Sequence, residues 1–232
     1  MGAEGGRPLE PWYAAAKAVA LPPAKLWFSW RFEDLHQIPR EGPAIVACNH
    51  ISYLDPIGNA YAIVRAGRRP RFLAKDELFK IPIVGSALKG AHQIPVDRGS
   101  DGRAPLLTAR AALEAGEIVV IYPEGTVTTD PDFLPMRGRT GAVRLSLATG
   151  VPITPLASWG SQAVWQKSGK GSLKWGRPVW MRAGAPLDFA ERRSEADDRD
   201  ALHAMTDEVM AALTALVLDL RDRYPERWAE AG

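Results

Sequence analysis

The stretch "AIVACNHISYLDP" (44–56) decides the fold class of this 232-residue chain. Its first five residues are apolar and include two β-branched side chains, so the pattern predicts a short buried strand over 44–48. Asn49 and His50 follow where that strand ends, and the pattern then predicts a helix from about Ser52 to about Ala66. A strand that turns directly into a helix is the building unit of α/β folds.

The same alternation continues along the chain. Further strands are predicted at 71–75, 92–96, 117–123 and 151–157. Helical patterns lie between them at 78–91, with a kink at Pro82, at 103–115, and at 138–149, where Gly150 ends the helix. One or two more strands are predicted in 171–189, then a charged linker at 191–200 and a closing amphipathic helix at 199–223. The fold class is therefore α/β, with a mixed, mainly parallel central sheet flanked by helices.

The residues ahead of the first predicted strand have a different composition. Residues 10–32 are rich in aromatic side chains with cations between them, and Pro22–Pro23 divides them into two short helical stretches. This composition favours an amphipathic segment that lies in a membrane interface. The alternative is a helical hairpin that packs its aromatics on its own domain. We divide the chain into an interfacial helical segment, 1–35, and an α/β domain, 36–232.

Composition narrows the function classes. The net charge is +2, from 29 basic and 27 acidic residues, which gives no reason to expect a nucleic-acid partner. With Cys48 as the single cysteine, no intramolecular disulfide forms, and a reducing compartment is the simplest expectation. We expect no signal peptide, and no window reaches the roughly 18 uninterrupted apolar residues of a membrane span. The four histidines lack metal-ligand spacing, and no G-x-S-x-G elbow is present.

His50 and Asp55 are the candidate catalytic pair. Residues five apart on one helix point about 140° away from each other, so the two cannot share a helical face. They can meet if His50 lies in the strand–helix turn and Asp55 in the first helical turn. A carboxylate bonded to one imidazole nitrogen leaves the other free as a base. Taken alone, this spacing is common, and an ordinary loop with two polar residues is the alternative.

Three further blocks follow the opening motif at the ends of predicted strands. They are "IPVDRG" (94–99), "YPEGTVT" (122–128) and "VPITPLA" (151–157). The four blocks, in this order, resemble the glycerophospholipid acyltransferase family, the 1-acylglycerol-3-phosphate acyltransferases and their relatives. "NHISYLDP" matches that family's N-H-x-S-x-x-D and "YPEGT" its F-P-E-G-T. The resemblance covers roughly residues 40–160.

The resemblance implies a reaction. Such an enzyme moves a fatty acyl group from a thioester, acyl-CoA or acyl carrier protein, to a hydroxyl of a lysophospholipid. The acceptor that the resemblance implies is 1-acylglycerol-3-phosphate, which gives phosphatidic acid. His50 would be the general base and Asp55 would orient it, with no metal and no cofactor beyond the thioester co-substrate. The partners would be membrane lipids, the acceptor and the acyl donor, and the expected location is the cytoplasmic face of the cell membrane, peripheral or monotopic.

The resemblance also implies acceptor-binding residues. They are Lys75, Arg98 of the second block, Glu124, Gly125 and Thr126 of the third, and Arg137. Val127 stands where the family usually has an arginine, so Arg137, with Arg139 nearby, is expected to supply the missing charge. This departure leaves another lipid acceptor open. A thioesterase and a non-catalytic lipid-binding protein of the same fold remain alternatives.

Overall fold

The computed structural model describes residues 22–97 and 103–229. Its strands are β1 (Ser29–Glu33), β2 (Ala44–Cys48), β3 (Pro70–Lys75), β4 (Ile94–Val96), β5 (Ile118–Ile121), β6 (Ile153–Trp159) and β7 (Pro178–Ala183). Its α-helices are α1 (Asp55–Arg65), α2 (Val84–Gly90), α3 (Arg103–Glu114), α4 (Gly141–Thr149), α5 (Arg199–Asp222) and α6 (Glu226–Ala229). Short 3-10 helices cover Leu35–Gln37, Asp76–Lys80, Ser161–Ala163 and Ala190–Glu195. Residues 22–27 are helical as well.

The strands form one seven-stranded sheet in the order β1-β7-β6-β2-β5-β3-β4. The five strands from β6 to β4 run parallel to their neighbours, whereas β7 is antiparallel to β6 and β1 runs parallel to β7. The predicted α/β fold with a mixed, mainly parallel sheet is therefore confirmed.

The core explains why β2 occupies the centre. All five of its residues are buried, because alternate side chains enter the two apolar layers on either face of the sheet. Ile45 and Ala47 pack with α3, α4 and α5, while Val46 and Cys48 pack with α1. Fully burying one such aliphatic side chain contributes about 1.5–3 kcal/mol, so a continuous apolar run is required here.

The parallel arrangement brings several loops to one edge of the sheet. The carboxyl ends of β2, β3, β4, β5 and β6 all point to that edge. The turns that follow them are therefore neighbours, although they are far apart along the chain. This edge is where α/β folds place their ligands.

One sequence-based prediction is wrong. Residues 29–32 are predicted as part of a helical interfacial segment, but Ser29–Glu33 forms strand β1. Trp30 and Phe32 alternate with charged residues and pack around Tyr61 of α1, which is the period of two that a strand requires. Because β1 belongs to the sheet, the domain boundary placed at residue 35 does not hold. The prediction for residues 10–21 lies outside the described residues.

The long helix α5 is a core helix. Asp198 caps its start, since its carboxylate accepts hydrogen bonds from the backbone N–H groups of Asp200 and Ala201. By length and composition α5 is the one helix among the described residues that could cross a membrane. Its apolar face is buried against the sheet through Leu202, Leu213, Val217 and Leu220, so the helix is part of the fold.

Candidate active site

The turn after β2 is tied to the turn after β6. The buried Asn49 side chain donates from Nδ2 to the Ser158 carbonyl at 3.1 Å and accepts at Oδ1 from the Ser158 N–H at 2.8 Å. This two-point contact holds the end of β2 against the end of β6. His50 is the next residue, so its backbone leaves the sheet in a defined direction.

The side chains of His50 and Asp55 meet, with 3.0 Å between Nδ1 and Oδ2. His50 lies in the strand–helix turn and Asp55 is the first residue of α1, which is the arrangement that the spacing requires. The same Oδ2 accepts the N–H groups of Ile51 at 2.6 Å and Ser52 at 2.7 Å. Oδ1 accepts the Ser161 hydroxyl at 2.6 Å. Asp55 is only 2% exposed, so these four donors stabilise a buried carboxylate.

This geometry selects one form of the imidazole. Because the Asp55 carboxylate is an acceptor, Nδ1 of His50 carries the proton and Nε2 is left as the proton acceptor. The ring stacks on Tyr122, with centroids 4.2 Å apart and planes at 25°. The Tyr122 hydroxyl accepts a 2.9 Å hydrogen bond from Asn59, and burial raises the pKa of this phenol well above its ordinary value. Tyr122 therefore serves as a neutral surface that limits rotation of the His50 imidazole.

Glu124 holds the His50 turn from the other side. Its Oε1 accepts the His50 N–H at 2.8 Å, and its Oε2 accepts the Met136 N–H at 3.0 Å. The residue is 4% exposed, and burial raises the pKa of its carboxyl to about 7, although the two backbone N–H groups act in the opposite direction. Both carboxyl oxygens of Glu124 thus accept backbone N–H groups. Glu124 therefore links the turn that contains His50 to the loop that contains Met136.

Gly125 allows an arginine to approach the third block. It has a positive φ of 71°, and a Cβ there would lie 3.1 Å from Nε of Arg139. The backbone N–H of Arg139 donates to the Pro123 carbonyl at 2.9 Å. Gly138 lets the backbone just before Arg139 pass close to α5, because a Cβ on Gly138 would come within 2.8 Å of Met210 and Thr206. The Arg139 guanidinium therefore lies over the Glu124–Thr126 turn.

The remaining residues named on sequence lie around this centre. Lys75 is exposed at the end of β3, on the same edge of the sheet as His50. Thr126 is partly buried and Arg137 is exposed. Val127 is buried. Arg98 lies outside the described residues.

Two other chemistries find no support among the described residues. Within 22–97 and 103–229, no group of three or more histidine, cysteine, aspartate or glutamate side chains could hold a metal ion. The Cys48 side chain is buried within β2, and burial raises the pKa of its thiol well above the ordinary value. A thiolate nucleophile requires the opposite environment.

Several residues of this site are not predicted from sequence. They are Ser161, Asn49, Ser158, Tyr122 and Asn59. Ser161 lies 106 positions from Asp55, and only the pairing of β2 with β6 brings them together. Gly160, with a φ of 98° directly after β6, is the local signal that the chain turns sharply there.

Residues 29–159 of this chain, which contain the whole His50–Asp55–Glu124 centre, match the family described as Acyltransferase, and the chain belongs to that family. It is 32% identical over 192 residues to the 1-acyl-sn-glycerol-3-phosphate acyltransferase of Bacillus subtilis, covering 82% of this chain and 86% of that protein. It is 28% identical over 165 residues to the chloroplastic 1-acyl-sn-glycerol-3-phosphate acyltransferase LPAT1 of Arabidopsis thaliana, covering 66% of this chain and 44% of the plant protein.

A solved structure shares the fold. The 1-acyl-sn-glycerophosphate (LPA) acyltransferase PlsC of Thermotoga maritima superimposes with a TM-score of 0.68, over 93% of this chain and 83% of that one. The sequences are 22% identical, so this likeness speaks to the fold.

Proposed function

We propose that this acyltransferase moves a fatty acyl group from an acyl thioester to the free hydroxyl of 1-acylglycerol-3-phosphate, with phosphatidic acid as the product. The observation that carries the proposal is the 3.0 Å contact between His50 and a buried Asp55 carboxylate that four donors orient. The substrate assignment is supported by the names of the bacterial and plant relatives.

The chain supplies acid–base chemistry to this reaction. Nε2 of His50 takes the proton from the acceptor hydroxyl as its oxygen attacks the thioester carbonyl carbon. The C–O bond forms, the tetrahedral intermediate collapses, and the C–S bond breaks. The imidazolium returns the proton to the departing thiolate, so the base is regenerated. Asp55 stabilises the imidazolium formed in between.

Direct attack by the acceptor suits this site better than an acyl-enzyme. A covalent route needs an activated nucleophile beside the base. Cys48 is buried with its thiol protonated. Ser52 and Ser161, the hydroxyls next to Asp55, donate to the Trp165 carbonyl at 2.8 Å and to Oδ1 of Asp55. The hydroxyl that His50 deprotonates is therefore that of the acceptor.

The acceptor phosphate would bind beside the third block. Arg139 already lies over Gly125 and takes the place of the arginine that Val127 replaces. Lys75 is exposed at the end of β3 on the same edge, and it would add positive charge together with Arg98 of the second block. Arg137 is exposed and contributes at longer range, and Thr126 offers a hydroxyl. In this proposal Glu124 positions the turn and does not contact the phosphate.

The remaining parts of the proposal concern the donor and the place of reaction. The donor is acyl-CoA or acyl carrier protein. Because the acceptor has a long acyl chain and resides in a bilayer, the enzyme would act as a peripheral or monotopic protein at the cytoplasmic face of the membrane.

His50→Ala provides the test. With purified protein, labelled acyl-CoA or acyl carrier protein, and 1-acylglycerol-3-phosphate, we expect phosphatidic acid from wild type and a loss of about 10²–10⁴ in rate from the variant. His36→Ala, at an exposed histidine outside the site, is the matched control. Equal rates for His50→Ala and wild type would contradict the proposal. So would release of free fatty acid without any acyl transfer to the lipid.

A further inference from the structure

The connection between β6 and β7 exposes apolar side chains that a folded domain normally buries. In residues 163–175, here called the β6–β7 loop, Trp165 is 56%, Leu173 66% and Trp175 64% exposed. Single exposed apolar residues are ordinary, but a contiguous group indicates a binding surface.

The exposed side chains are held in place by the fold. Trp27, from the helical residues before β1, packs edge-on against Trp175 with centroids 5.2 Å apart. Its Nε1 donates to the Leu173 carbonyl at 3.1 Å, and its carbonyl accepts the Gly176 N–H at 2.8 Å. Trp165 is in turn edge-on to the exposed ring of Tyr53 at 5.3 Å. The apolar groups therefore form a fixed surface.

The charge of the loop identifies the partner. Lys167, Lys170 and Lys174 are exposed between the tryptophans. No aspartate or glutamate occurs anywhere between Asp132 and Asp188. Indole rings prefer the boundary between lipid and water, and lysines are attracted to anionic headgroups. A loop that carries both, and no acidic residue, therefore matches the headgroup region of an anionic bilayer.

The loop is also joined to the catalytic turn. The Trp165 carbonyl accepts the Ser52 hydroxyl at 2.8 Å and the Tyr53 N–H at 3.1 Å. A surface that binds this loop would therefore lie beside His50.

A second exposed apolar group lies on the other side of His50. The segment after β3 exposes Leu78, Ile81, Ile83 and Val84, and Ile83 reaches 82% exposure at a positive φ of 69°. In the sheet, β2 lies between β6 and β3, and the three strands end at the same edge. A flat bilayer that touches both groups would cover the His50 turn between them.

We propose that the β6–β7 loop docks on an anionic lipid bilayer through Leu173 and Trp175 and the neighbouring lysines, so that the His50 site opens onto the lipid surface. The docking proposal extends the proposed function. It rests on that function only for the identity of the lipid that enters the site. Vesicle binding itself requires no turnover.

The full-length chain allows a matched test. Leu173→Ala/Trp175→Ala removes the apolar anchor, and Leu107→Ala on α3 is the control, because Leu107 is also 66% exposed. Binding is measured by co-sedimentation with vesicles of equal parts phosphatidylcholine and phosphatidylglycerol. We expect the double variant to bind at least about tenfold more weakly, and the control to bind like wild type.

A second variant addresses charge and avoids the risk that the double variant misfolds. Replacing Lys167, Lys170 and Lys174 by glutamine should weaken binding to the anionic vesicles by about fivefold per lysine. It should leave binding to pure phosphatidylcholine unchanged. If both variants bound the vesicles with wild-type affinity, the proposal would be overturned. A protein partner would then be the candidate to bind this surface. Protein that binds vesicles through the loop but transfers no acyl group would contradict only the proposed function.

Discussion

The Ser161 hydroxyl donates a 2.6 Å hydrogen bond to Oδ1 of Asp55, the oxygen that does not contact His50. The serine is held in the 3-10 helix after β6, and both residues are buried. The carboxylate is therefore held by two turns. The turn after β2 binds Oδ2, and the turn after β6 binds Oδ1.

Ser161→Ala should lower kcat by about tenfold, because a hydrogen bond to a charged group is worth roughly 1.5–3 kcal/mol. The KM values for donor and acceptor should change less than twofold, since Ser161 acts through Asp55 and touches no substrate. Steady-state kinetics with each substrate varied provides the measurement, with Ser194→Ala, at an exposed serine outside the site and the β6–β7 loop, as control. A rise in KM at unchanged kcat would assign Ser161 to binding.

Asp55→Asn should preserve the fold and remove most of the activity. The amide oxygen can replace Oδ2, and the amide NH₂ can face Ser161, whose hydroxyl can turn to accept. The negative charge that stabilises the imidazolium is lost, so the rate should fall by about 10² or more. Thermal unfolding and acyl transfer are measured on the same preparation. A fall in stability that parallels the fall in rate would make Asp55 a structural residue.

Glu124 should make the stability of the protein depend on pH. Burial raises the pKa of its carboxyl from 4.5 to about 7 in the folded state. The folded protein therefore binds the proton more tightly than the unfolded chain, so this contribution is fully present below about pH 4.5 and is lost as pH rises to 7. The loss is on the order of 3 kcal/mol.

Glu124→Gln cannot titrate and isolates this effect. Urea unfolding of both proteins from pH 5 to 8 should show the difference in unfolding free energy, wild type minus variant, falling up to pH 7 and levelling beyond. At pH 5 the variant should also be less stable than wild type, because the amide presents an N–H to one of two backbone N–H groups. A difference that does not vary with pH would disprove the shifted pKa.

Arg139 and Arg137 form a matched pair for the phosphate contact. The side chain of Arg139 lies over Gly125. Arg139→Ala should raise KM for the phosphate-bearing acceptor by about tenfold or more, with KM for the acyl donor unchanged. Arg137→Ala should raise the acceptor KM by less than threefold. A larger rise in acceptor KM for Arg137→Ala than for Arg139→Ala would make Arg137 the main phosphate contact. The contact between Arg139 and Gly125 would then serve packing alone.

Trp30 and Trp27 test the reassignment of β1. Trp30 packs against Phe28, Phe32 and Tyr61, so Trp30→Ala should cost about 3–5 kcal/mol of unfolding free energy. Trp27 is partly exposed, and Trp27→Ala should cost much less. Urea unfolding without lipid measures both. If both variants lost equally little unfolding free energy, residues 29–32 would be better described as part of a lipid-facing segment.

The contact between His50 and Asp55 is well predicted from local sequence, and for a physical reason. His50 and Asp55 belong to one strand–turn–helix unit, so their meeting depends on residues within the stretch 44–56. The parallel sheet is also predictable, since fully buried strands are continuous apolar runs in the chain.

Contacts between distant segments are what the sequence does not show. Ser161 reaches Asp55, and Asn49 reaches Ser158, only because β6 pairs with β2. Strand β1 is missed because its aromatic residues continue an aromatic run from the preceding helical residues. The alternation of Trp30 and Phe32 with charged neighbours covers only five positions.

The reversed direction of β1 and β7 determines where the chain enters the sheet. Both strands run opposite to β6, so β1 begins at the edge where the strands with parallel neighbours end. Residue 22 and the helical residues after it therefore lie on the same side of the sheet as the His50 turn. A fusion partner joined directly to residue 22 in a truncated protein would be placed on that side, where its bulk would compete with a flat substrate-bearing surface. Truncations that begin at residue 22 should accordingly carry their tags at the other terminus or make them cleavable.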